Sequence, residues 1–191
     1  SCPPSVHRRS LATRDWGGLQ VIKMNEADLK LFNTLHNELR KHASWTNAYE
    51  HDRNASAGAL VTDLMLAVEG DEIRFVTAAV DLPTHVTRVA IITDKSLVLG
   101  RVESGSEGQP VVEVTVESLG RIRALKPHGR QNAMVKPDWV TDWPDRVSIT
   151  IVLDDDREIL LPYEHVNDET ATLRELFVWV RDRMSSGTAG D

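Results

Sequence analysis

The chain is 191 residues long, 41% hydrophobic and 27% charged, with a formal net charge of −7. This is enough apolar material for a core in one extended domain or two small ones, and the acidic balance argues against binding of nucleic acid or anionic membrane by the surface as a whole. The single cysteine, Cys2, excludes an intrachain disulfide framework, and no apolar run approaches the length of a transmembrane helix.

Residues 1–18 contain Pro3, Pro4, Arg8, Arg9, Arg14, Gly17 and Gly18 with few apolar residues between them, and read as a disordered basic tail. Asn25 is a helix N-cap, with Glu26 and Asp28 placed to favour the dipole. Leu31, Phe32, Leu35, Leu39 and Ala43 then fall on one stripe, predicting a helix of about 20 residues. A polar loop is expected from Thr46 to Ser56. A second helix is predicted from Ala57 to Glu69, with Leu60, Val61, Leu64, Met65 and Val68 on one face and Gly70 as its stop. Residues 19–69 are therefore expected to form an N-terminal helical hairpin, docked on the β-rich remainder of the chain or used for self-association.

From Ile73 the pattern becomes β. Ile73–Val80, Val86–Ile92 and Leu97–Val102 are predicted strands, the last two joined by turn residues Thr93-Asp94-Lys95-Ser96. Val112, Val114 and Val116 alternate with Glu113, Thr115 and Glu117, as in a strand with one dry face. Leu119–Leu125 is a further candidate. Val147–Leu153 and Arg157–Leu161 flank Asp154-Asp155-Asp156 as a hairpin that Pro162 stops. Leu173, Leu176, Phe177, Val180 and Met184 form the stripe of a last helix, capped by Asn167, Asp168 and Glu169, with Arg181 and Arg183 suiting its C-terminal end. The expected class is α+β. Residues 70–185 form an antiparallel β-barrel or sandwich of about seven strands closed by the C-terminal helix, and residues 186–191 are a disordered tail. Burial of each large side chain of the stripe contributes on the order of 1.5–3 kcal/mol.

The run Val89-Ala90-Ile91-Ile92-Thr93-Asp94-Lys95-Ser96-Leu97-Val98-Leu99 resembles the second and third strands of bacterial pleckstrin-homology-like (PH-like) domains. The hairpin Val147–Leu161 and the helix Thr172–Met184 resemble that family's last strands and closing helix, so the likeness covers residues 71–184. It implies a scaffold that binds phosphoinositides, peptides or other domains. In its phosphoinositide binders, basic residues gather in the loop between the first two strands. Here that loop, Asp81–Thr87, offers only His85, with Arg88 just after it, which counts against headgroup binding by the usual site.

Arg121, Arg123, Lys126, Arg130 and Lys136 lie in a stretch, 120–137, without Asp or Glu. Such a run attracts phosphate or an acidic partner, although a solvated loop balanced by acids in space is the more common arrangement. Trp139 and Trp143 come next, able to anchor a partner or to pin a long loop. His36 and His42 stand six apart, poor spacing for a metal on one helix face, and no HExxH or calcium-loop pattern is present. No serine stands in GxSxG and no glycine run forms a phosphate loop. The expectation is a cytoplasmic, non-catalytic binding or assembly module without metal or cofactor, whose partner is another protein or a second copy. The alternatives are a peripheral reader of phosphate headgroups or nucleic acid through residues 121–136, and an enzyme assembled from dispersed carboxylates and histidines.

Overall fold

The computed structural model describes residues 7–10, 24–49, 55–81, 83–104, 110–129, 147–166 and 169–187. In chain order these form strand β1 (His7–Ser10), helices α1 (Glu26–Arg40), α2 (Ala43–Tyr49) and α3 (Ala55–Ala67), and strands β2 (Ile73–Asp81), β3 (Val86–Thr93), β4 (Ser96–Ser104) and β5 (Pro110–Ser118). A short 3-10 turn, Leu119–Arg121, leads into β6 (Ile122–Gly129), β7 (Val147–Leu153), β8 (Glu158–Leu161) and helix α4 (Glu169–Gly187).

The seven expected strands are present as β2 to β8, but they do not close into one barrel. They divide into two antiparallel sheets, β2–β5 with β1 added beside β5, and β6–β7–β8. The chain separates between Glu117 and Ser118 into two compact units, each holding one sheet. The expectation of a disordered tail is corrected at His7–Ser10, which pairs antiparallel with Val111–Val114. The caps expected at Asn167 and Asp168 lie outside the described residues.

In the first unit, Asn25 caps α1 as the sequence indicates, its side chain accepting the Asp28 N–H at 2.8 Å. The apolar stripe does not run on in one helix. α1 ends at Arg40, and the chain turns through Lys41 and His42 into α2. Part of the expected polar loop is therefore helical, Thr46–Tyr49. The cause is packing. Trp45 is 4% exposed and packs in the core with Leu35 and Leu39, with Tyr49 against it, so the second segment is drawn in by its own aromatic residues.

The three helices share one core with the sheet. Leu35 and Leu39 of α1, Trp45 of α2, and Leu60, Leu64 and Val68 at α3 pack with Val76, Ala78, Val89, Ile91, Val98, Val102, Val112 and Val114. These strand residues alternate, so they line one sheet face. Gly100 lies in this face, and a Cβ there would meet Leu60 Cδ1 at 2.9 Å. The glycine is what lets α3 lie close on the sheet. At the free edge of β2, the Val80 N–H donates to Ser44 Oγ of α2 at 3.1 Å, so a strand edge that would otherwise present unpaired amides is covered. The β3–β4 turn holds itself through Thr93, whose Oγ1 accepts the N–H of Lys95 at 3.1 Å and of Ser96 at 2.9 Å. Gly70, at φ +78°, ends the α3 segment before β2.

In the second unit, β6, β7 and β8 are consecutive antiparallel neighbours in the register Lys126↔Thr150↔Leu160. α4 packs on β6 and β7. Of its predicted stripe, Leu173, Leu176 and Val180 are buried, and Phe177 and Met184 partly so. The stripe thus covers the three-stranded sheet instead of plugging a barrel mouth. No helix among the described residues is long and apolar enough to cross a membrane.

Candidate functional site

Two surfaces of the second unit carry chemistry: the basic strand β6 with the acidic β7–β8 turn, and the outer face of α4. Strand pairing brings the first together. Arg121 donates to Asp154 Oδ1 from Nη2 at 2.5 Å and from Nε at 2.9 Å, and to Asp155 Oδ2 at 3.0 Å. Arg123 pairs with Asp156 at 2.5 Å, and Lys126 reaches Glu158 at 2.5 Å. The register explains the last pair: Lys126 and Glu158 sit on the same face, on either side of β7.

Arg121 is the least exposed of these cations, and its hydrogen bond, before any other influence, holds the Asp154 carboxyl below the usual carboxylate range. The Asp155 carboxyl is also held down. Desolvation pushes it upward, but hydrogen bonds from the Arg157 side chain and backbone and from Arg121 outweigh that. Asp156 takes a left-handed conformation, φ +64°, which an aspartate at the tip of a tight hairpin tolerates. His128 lies farther along β6, its Nε2 3.0 Å from Thr150 Oγ1.

Three of the five expected anion-binding cations, Arg121, Arg123 and Lys126, thus share one strand-and-turn surface and each meets a carboxylate there. This is the balanced arrangement, acids supplied in space from more than thirty residues away in sequence. Arg130, Lys136, Trp139 and Trp143 lie outside the described residues. Among the described residues no three His, Cys, Asp or Glu side chains converge as metal ligands would.

The outer face of α4 carries a surface that the sequence reading passes over. Ala171, Arg174, Glu175, Val178, Trp179 and Asp182 share an open, shallow patch along it. Val178 is 43% exposed, an apolar side chain in water at the centre of the helix. Trp179 is half-buried, and the Arg183 guanidinium carbon stands 4.6 Å from its ring centroid, a cation–π contact that favours this placement of the indole. Arg181 and Asp182 pair at 2.8 Å. The patch arises from the helical repeat. Residues 174, 178 and 182 form one row along the helix, and 175, 179 and 183 the next, both turned away from the buried stripe. The signal is present in the sequence as two rows spaced by four. It is masked because Arg181 and Arg183 also suit the C-terminal end of the helix dipole.

No protein-family model, no curated protein and no solved structure matches the chain.

Proposed function

We propose that the chain is a non-catalytic binding and assembly module that docks a polypeptide on the outer face of α4. One observation carries this reading: exposed Val178 lies beside Trp179, an indole in contact with Arg183, with Arg174, Glu175 and Asp182 around them. Tryptophan and arginine are the residue types that most often dominate binding energy at protein interfaces. A rigid aromatic with an apolar neighbour and a mixed-charge rim suits an amphipathic helix that presents one apolar side chain between an acid and a base. The PH-like resemblance of residues 71–184 supports the same reading, since it implies a scaffold that displays a binding surface. The proposed location is the cytoplasm, consistent with the single cysteine.

The test is selection of displayed helical peptides on the immobilised full chain. The expected ligands lose binding to Trp179→Ala and Val178→Asp but keep it with Arg123→Glu. Ligands that instead depend on Arg123 and Lys126 would move the site to the basic strand, and a selection without specific ligands would remove the reading.

A further inference from the structure

We infer that the polypeptide docked on α4 is α4 itself: the outer face pairs antiparallel with the same face of a second copy of this chain. The inference rests on the proposed docking function and names its partner. The row Arg174–Val178–Asp182 runs from cation through an exposed apolar residue to anion. The neighbouring row Glu175–Trp179–Arg183 runs in the reverse order, from anion through tryptophan to cation. Each row is therefore opposite in charge to itself when turned end for end.

Helices that pack with both sets of four-residue ridges aligned cross at about −50°, the commonest class of helix contact. In that geometry the row of one copy runs alongside the row of the other. With the copies antiparallel about a twofold axis at Val178, Arg174 meets Asp182 of the second copy, and Asp182 meets the second copy's Arg174. Val178 then meets Val178, removing the exposed apolar centre from water. A parallel pair would set Arg174 against Arg174 and Asp182 against Asp182. Charge order therefore selects the antiparallel, isologous arrangement, in which one ion pair appears twice by symmetry. The Trp179 ring, in contact with Arg183, flanks the pairing and adds apolar area.

A single helix face of this length falls short of the roughly 800 Å² per partner of a standard interface. The association is accordingly weak, dependent on concentration, and weakened by salt. The experiment is sedimentation equilibrium of the full chain from low to high micromolar concentration. The weight-average mass should rise from 21.3 kDa toward twice that value. Arg174→Asp alone, and Asp182→Arg alone, each place like charges together twice and should weaken pairing about tenfold or more. The double variant Arg174→Asp/Asp182→Arg restores the opposite-charge order and should recover most of it. Both positions are exposed, and an unchanged far-ultraviolet circular dichroism spectrum checks that each variant folds.

A wild-type chain that stays monomeric, single variants that pair as well as the wild type, or a double variant that fails to recover would each overturn the inference. If the wild type is monomeric while selected peptides still need Trp179, only the self-pairing fails and the docking surface stands. If pairing is absent and no peptide needs Trp179, both fail.

Discussion

Leu60 on α3 and Gly100 on β4 meet so closely that a Cβ on the glycine would stand 2.9 Å from Leu60 Cδ1, with Leu64 Cδ2 at 3.1 Å. Both leucines are fully buried, so neither can swing into open space. Gly100→Val should therefore destabilise the first unit by about 1–3 kcal/mol through overpacking, read as a lower urea midpoint. Leu60→Ala in the same background should cost less than it does alone, because the two changes share one space. Strictly additive effects would contradict the close approach.

A second expectation concerns Tyr49. Its hydroxyl is hydrogen-bonded to Thr87 Oγ1, which is fully buried. Burial pushes the Tyr49 phenol above its ordinary range, against a smaller downward pull from that bond. Of the two tyrosines in the chain, Tyr49 and Tyr163, ultraviolet titration should find Tyr49 ionising late, and Tyr49→Phe should remove that late phase. The sign comes from proton binding. The folded state holds this proton more tightly than the unfolded state, so its stability contribution is complete below the unfolded phenol pKa and is lost as pH rises through the folded value. Tyr49→Phe should flatten that alkaline loss of stability.

The Arg121–Asp154 pair makes the opposite prediction at the acid end. The Arg121 hydrogen bond is the main cause of the depressed Asp154 pKa. An NMR titration of the side-chain carboxyl should place its midpoint below the usual carboxylate range, and Arg121→Gln should move it back up. Because the folded pKa is lowered, the associated stability is present above the unfolded value and disappears as pH falls through the folded one. An Asp154 midpoint that does not respond to Arg121→Gln would refute the assignment.

Ser44 and Val80 give a local test of how α2 is attached. The Val80 N–H points away from β3 and donates to Ser44 Oγ at 3.1 Å. Ser44→Ala removes that acceptor and should cost about 0.5–1.5 kcal/mol. Hydrogen exchange should report it at one site, with the Val80 amide exchanging faster while amides in the middle of β3 keep their protection. Uniform acceleration across the sheet would mean that the bond matters only through global stability.

Local pattern carries much of the secondary structure. Asn25 before an apolar stripe marks the start of α1, period-two alternation locates β5 and β7, and the spacing of Leu173, Leu176 and Val180 locates the buried face of α4. These are decided within a few residues, because capping, pleat and helical repeat act over one or two turns of chain. The break after Arg40 is hidden, since Leu31–Ala43 continues the helical period through it and only the tertiary packing of Trp45 favours the turn.

Amino-acid order alone determined strands β2 to β8, the buried faces of α1, α3 and α4, and the start of α1; it did not mark β1 or the separate helix α2. Only the tertiary structure decided that seven strands divide into two sheets, that the helices before β2 share its core, and that Arg121, Arg123 and Lys126 face acids. The reason is that strand partners and ion-pair partners are chosen by contacts between segments far apart in the chain. A run of cations or an alternating strand carries no mark of what it will meet across a ladder.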